Sequence, residues 1–310
     1  MFSNGAGELV FSVFDKNGEL LELSEQLYEK INEVPGNVGF VTVVINMFVM
    51  TSSEENRIVC QGQFSEENSV KDDFNPPVDY TKNCSGFSGA RFIIECGIKL
   101  KASVLTVATA ATYYHKFYED ASLDEYDPYL IGCTCLYLAS KVEDDDIKIR
   151  DIINVGINCI RRGEPPLSLD PYFCMRDSLI QAELLLMRFL GFKMKVDLPH
   201  KYLLHYIQSI KDWLGNEVFD SVPIIQLAWT VIQDVYHSPI VLKYPPQVLS
   251  AAILNLVVQV HGIVVTSSEE VNAHSWFTIL HPDCTTKTVW EVTAKIVLMY
   301  KEENSLILSV

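Results

Sequence analysis

Residues able to do chemistry are scattered through this chain, and the spacings that would assemble a catalytic centre are missing. His200 and His205 stand five positions apart, about 140° around a helix, a poor arrangement for ligating one metal. Gly5-Ala6-Gly7 looks like a fragment of a phosphate-binding loop, but Val10 occupies the third glycine position. Asp15-Lys16-Asn17-Gly18 resembles a calcium loop with its glycine at the fourth place instead of the sixth. The eight cysteines contain no CxxC pair. Cys133, Cys159 and Cys174 lie in apolar helical surroundings and read as small core residues. The carboxylates Glu143 to Asp146 follow a helix and read as a solvated turn. No Ser-His-Asp or Cys-His arrangement stands out. No catalytic residue, metal ligand set or cofactor site is expected.

The elements that would position any site are helices. Among 310 residues, 48% are hydrophobic and 21% charged, enough to bury a core of ordinary size. The net charge of -16 argues against nucleic acid as a partner, since phosphate neutralisation calls for a basic face. No basic stretch followed by an apolar run marks the N-terminus, so no signal peptide is expected. The apolar run Phe40 to Met50 is too short to span a membrane. The expectation is an intracellular protein, nuclear and/or cytoplasmic, with reduced thiols.

Residues 1–89 carry 14 acidic and 5 basic residues, against 26 and 19 in 90–310. The alternation from Leu9 to Leu23 around Asn17-Gly18 is a hairpin signal. Residues 51–89 are rich in Ser, Glu, Asn, Asp and Pro and read as loop or disordered linker. This N-terminal extension is therefore expected to be partly disordered or a small β element.

From residue 90 the period becomes helical. Helices are predicted over Arg91–Leu100, Ser103–Tyr118, Asp127–Glu143, Ile147–Cys159 and Asp170–Leu190. Ala108 and Ala111, at i and i+3, would let the second helix sit close to a neighbour. Asp127-Pro128 and Asp170-Pro171 carry an N-cap followed by a proline at the first helical position. Gly191 is a natural stop. The third helix is apolar on nearly every side, as a helix buried within a bundle must be. A second set is predicted over Pro199–Leu214, Val222–His237, Pro245–Val260, Ser267–Leu280 and Thr286–Glu303. Pro128, Leu130, Ile131, Cys133, Leu136 and Leu138 align at constant offset with Pro246, Val248, Leu249, Ala251, Leu254 and Leu256, an internal echo. The fold class is thus all-α, with two tandem five-helix domains over 90–198 and 199–304.

Several runs resemble the cyclin box: Ala90-Arg91-Phe92-Ile93-Ile94, Ala108 to Phe117, Leu136-Tyr137-Leu138-Ala139-Ser140-Lys141-Val142-Glu143, and Glu183 to Phe192. They occur in order and at the right spacing. Tyr126 to Ile131, Arg150 to Val155 and Pro199 to Tyr206 are most similar to the transcription-type cyclins, and among them to the cyclin-Q (cyclin-M) type. The resemblance implies a non-catalytic subunit in a heterodimer with a cyclin-dependent kinase, the tenth of that series. Such a subunit holds the kinase αC helix inward, where its Glu meets the ATP-orienting Lys.

Within the family a Lys closing the third helix and a Glu of the fifth clamp backbone groups beside αC. Here they match Lys141 and Glu183; without the match they would read as surface charges or an intramolecular ion pair. An ammonium only donates and a carboxylate only accepts, so the two together could satisfy both kinds of backbone group. Leu138, Val142, Met187, Phe192 and Met194 match family contact positions, although each alone reads as core. Gln259 stands where Lys141 would fall in the second repeat, which assigns kinase binding to the first. Two departures stand out. His115 replaces the Asp that usually pairs with Arg91, leaving Asp120 or Asp127 as substitutes. Gly97 replaces a Trp found in substrate-docking cyclins, so no docking groove is expected. The alternative reading is a cyclin-fold general transcription factor of the TFIIB type, which would call for basic helices and often a zinc ribbon.

Overall fold

The computed structural model describes residues 80, 86–162, 167–215, 219, 222–261, 263, 265 and 276–308, with side chains to 300. The hairpin expected at Leu9 to Leu23 and most of the expected linker lie outside the described residues. Every described element is a helix. The first five are α1 (Gly86–Leu100), α2 (Val104–Asp120), α3 (Pro128–Val142), α4 (Ile149–Ile160) and α5 (Leu169–Phe189). Then come α6 (His200–Leu214), α7 (Ile224–Val235), the single turn α8 (Ile240–Lys243), α9 (Pro246–Val260), α10 (Trp276–Leu280) and α11 (Thr286–Leu308).

Local signals set the starts. Ser103 accepts the Thr106 amide at 3.1 Å and caps α2. Asp127 accepts the Tyr129 amide at 3.1 Å, and Pro128 opens α3, where its missing N–H costs nothing. The expectation for α5 needs correction. Its cap is Ser168, which makes no side-chain capping bond, and Asp170-Pro171 falls inside the first turn. A proline there still forfeits only an amide that has no intrahelical partner. Helix α1 starts at Gly86, ahead of Arg91.

Helix α3 is the centre of the first box and touches α1, α2, α4 and α5. Its buried residues include Ile131, Cys133, Thr134 and Leu136, which point in several directions around the axis. Truncating Leu136, fully buried, to Ala would cost about 2–5 kcal/mol. Helix α9 has the same role in the second box, packed by α6, α7 and α11. Both central helices have 15 residues and a proline at the start, so the internal echo is structural.

The boxes meet along α2. One face of α2 carries Ala110, Tyr113, Tyr114 and Phe117 into the first core. Ala108 and Ala111 turn the other way and join the core of the second box. The expected close approach of these two alanines is therefore to the second box, where α8 packs on α2. His115 seals the same seam, with Nε2 donating to the Tyr236 carbonyl at 2.8 Å. Phe87 stacks on His237 across it, ring centroids 5.4 Å apart.

Candidate functional site

Helices α3 and α5 are packed together, and the last turn of α3 brings Lys141 to the middle of α5. The Lys141 ammonium donates to Glu183 Oε1 at 2.6 Å. It also lies over the Tyr137 ring, 4.0 Å from the centroid, one turn back along α3. Partial burial opposes the charge, but the Glu183 hydrogen bond and charge dominate and raise the Lys141 pKa. The Lys141 side chain is 46% exposed and Glu183 13%. The ammonium therefore keeps donors toward solvent, and Glu183 sits where the buried face of α5 meets its open face.

That open face is mixed, with Asp177, Ser178, Gln181 and Arg188 exposed among large apolar side chains. Leu179, Ala182 and Leu186 turn inward, while Phe173, Ile180 and Leu184 form an exposed stripe ending beside Glu183 and Met187. The sequence reading missed this stripe. Apolar residues are spread around α5, so periodicity alone could not say which of them the bundle leaves uncovered.

The expected contact residues divide. Leu138 is 4% exposed and belongs to the first core. Its contribution to any surface is as support. Val142 is half-buried, as are Met187 and Met194, which pack on the edge of the same core. Phe192 is 64% exposed. It follows a helix stop in which Gly191 donates to the Arg188 carbonyl at 3.0 Å and Phe192 to the Met187 carbonyl at 2.9 Å. Gly191 and Phe192 both have φ of 58°. An aromatic residue held left-handed, with its ring in solvent, is a local cost that packing within this chain does not offset. The Tyr113 hydroxyl donates to the Met194 carbonyl and fixes the segment after that stop.

The carboxylate run is not a freely solvated turn. Asp145 Oδ2 accepts from the Ser103 amide at 2.7 Å and the Thr106 hydroxyl at 2.9 Å, adding to the cap of α2. Glu143 Oε1 accepts from Thr109 at 2.8 Å. These bonds anchor the segment following Lys141 to α2. The hydroxyls lie on α2, far away in sequence, which is why the local reading missed them. Gly97 also has a tertiary reason: a Cβ there would stand 2.4 Å from Val107 Cγ2. Helices α1 and α2 thus leave no room for a Trp at this position. In the second box Gln259 Nε2 reaches only Asn255, at 3.4 Å. Among the described residues, no group of three or more His, Cys, Asp or Glu could hold a metal ion. No helix among them is long and apolar enough to cross a membrane.

Among the described residues, two sets of helices each wrap around one buried helix. Residues 88–195 match the family model "Cyclin, N-terminal domain". Cyclin pch1 of Schizosaccharomyces pombe is 31% identical over 188 residues, 59% of this chain and 52% of that protein. Human cyclin-K is 29% identical over 171 residues, 54% of this chain and 28% of that protein. Cyclin-L1 of Danio rerio is 25% identical over 221 residues, 70% of this chain and 42% of that protein. The chain thus spans about half or less of the length of these relatives. Among solved structures, a chain of the yeast RNA Pol II CTD kinase CTDK-1 complex superposes with a TM-score of 0.57 at 19% identity, over 72% of this chain and 67% of that one. A chain of the Chaetomium thermophilum CAK complex gives 0.51 at 15%, over 90% and 75%. These two likenesses concern the fold alone. The chain carries a cyclin N-terminal domain and is homologous to cyclins of the transcription type.

Proposed function

We propose that this chain is the regulatory subunit of a cyclin-dependent kinase, which it engages through the first box and activates by holding αC inward. The observation that carries this reading is the Lys141–Glu183 pair beside an uncovered apolar stripe on α5, inside the domain that matches the cyclin model. Exposed large apolar side chains are what an interface centre uses, and a charged pair at their edge suits its polar rim. Phe173, Ile180, Leu184 and Phe192 would be covered by the partner, with Met187, Val142 and Met194 at their margin. Lys141 and Glu183 would bind backbone acceptors and donors at one end of αC. Binding the active position better than the inactive one is sufficient to shift the kinase toward it.

The finer reading is a cyclin-Q-type subunit acting in the nucleus with the tenth cyclin-dependent kinase. It rests on the resemblance of Tyr126 to Ile131, Arg150 to Val155 and Pro199 to Tyr206 to that type. The test is co-expression with a set of cyclin-dependent kinases, the tenth included, followed by co-purification and peptide phosphorylation with and without this chain. The expected result is a one-to-one complex and kinase activity that depends on it. If no kinase co-purifies and the chain is retained on heparin at moderate salt, the reading fails in favour of a nucleic-acid-binding cyclin fold.

A further inference from the structure

Away from the α3–α5 surface, α1 and α4 bring two thiols together. Cys96 Sγ lies 3.6 Å from Cys159 Sγ, across 63 positions of sequence. Lys99 Nζ, one turn along α1, lies 3.3 Å from the same Cys159 sulfur. Lys99 is held by Glu95 at 2.8 Å, and Glu95 also binds Arg162 at 2.9 Å and the Tyr80 hydroxyl at 2.6 Å. Both cysteines are almost fully covered, but the Lys99 side chain that closes over Cys159 is 38% exposed, so the sulfur is one side chain away from solvent.

The two sulfurs differ in kind. The Cys96 hydrogen bond and the Lys99 ammonium outweigh burial and lower the Cys159 pKa. Burial drives the Cys96 pKa well up. Cys133 nearby is pushed up to about 12 by burial and stays a thiol. A thiol whose ionisation a neighbouring cation favours, in contact with a thiol that burial keeps protonated, is the arrangement of an attacking and a resolving cysteine.

We propose that Cys159 and Cys96 form a reversible oxidation site for hydroperoxides, with Cys159 as the reacting thiolate, Cys96 as the resolving thiol and Lys99 as the positioning cation. In the first step the Cys159 thiolate attacks the terminal oxygen of the hydroperoxide. The O–O bond breaks, and the departing alkoxide or hydroxide takes a proton from Lys99, which regains one from solvent. Cys159 is left as a sulfenic acid. In the second step Cys96 sulfur attacks the Cys159 sulfur, the S–O bond breaks, and water leaves with the Cys96 proton. One hydroperoxide is reduced to alcohol or water, and two thiols are oxidised to one disulfide. The sulfurs need to close from 3.6 Å to about 2.05 Å. The product staples α1 to α4, and reduction by a dithiol restores both thiols.

The test treats the full chain with hydrogen peroxide in near-equimolar amounts, blocks remaining thiols, and maps linkages by mass spectrometry. The expected result is one Cys96–Cys159 linkage, lost on reduction, and a rise in thermal midpoint of roughly 5–10 °C from the closed loop. In Cys96→Ala, Cys159 should be trapped by dimedone as the sulfenic acid. Lys99→Met should slow the oxidation on the order of tenfold, because the cation that favours the Cys159 thiolate is gone. Glu95→Gln, which removes a negative charge beside Cys159, should speed it. Both variants are to be checked by circular dichroism, and their opposite signs separate a charge effect from a general loosening of the box. The proposal is overturned if peroxide links Cys159 to Cys133, if exposed Cys174 reacts first and the pair stays reduced, or if Lys99→Met and Glu95→Gln oxidise at the wild-type rate.

Discussion

Reversing the charges of Lys141 and Glu183 together separates what the pair does inside this chain from what it does for a partner. The ion pair is short, at 2.6 Å, but its lysine side chain is nearly half exposed. Such a pair contributes about 1 kcal/mol at most. Lys141→Glu replaces that attraction with two facing carboxylates and should cost about 1–2 kcal/mol, lowering the thermal midpoint by roughly 2–8 °C for a chain of this size. Glu183→Lys should do the same. The double variant re-forms the pair in reverse order and should recover most of the midpoint. Binding to the kinase should behave differently. An ammonium only donates and a carboxylate only accepts, so the partner's backbone groups still meet the wrong partner in the double variant. A buried polar group left unpaired at an interface costs about 2–5 kcal/mol, roughly a 30- to 5,000-fold loss of affinity. The assays are differential scanning fluorimetry and titration of the purified kinase against each variant. If the double variant recovers binding together with stability, or if the single variants bind as the wild type does, the pair serves only the fold and the site assignment is wrong.

Three further outcomes follow from the packing. His115 and His200 are buried and His237 is half-buried, and desolvation holds each at about 4, below the ordinary value of 6.5. The unfolded chain therefore binds protons below pH 6.5 that the folded chain refuses. Stability is fully present above that pH and declines as pH falls toward 4, by about 1.4 kcal/mol per unit for each histidine. His115→Gln, which keeps a donor for the Tyr236 carbonyl, should reduce the slope of urea-unfolding stability against pH by about one proton. The Tyr114 hydroxyl is buried against Gly89 without a hydrogen-bond partner, so Tyr114→Phe should leave stability within about 0.5 kcal/mol of wild type or raise it. Gly97→Ala drives a methyl into Val107 and should destabilise by about 1–3 kcal/mol. In that background Val107→Ala should cost less than it does alone, as a double-mutant cycle by chemical denaturation would read.

The sequence by itself determined the helical class, the order of the helices and the position of the central one in each box. Helix α3 is apolar around its whole circumference and opens with Asp127-Pro128, and only the middle of a bundle accommodates such a helix. Its counterpart α9 repeats the length and the opening proline, so the doubling was legible too. That Lys141 and Glu183 meet was not legible from spacing, because no spacing rule connects residues on two helices. What the tertiary structure decided was which side of each helix is covered. It turned Ala108 and Ala111 toward the second box, buried Leu138, left Phe173, Ile180 and Leu184 open, and tied Glu143 and Asp145 to α2. It also set Cys96 against Cys159. Helical period fixes which residues share a face, but covering a face depends on contacts between distant segments. Those contacts are made only when the bundle closes.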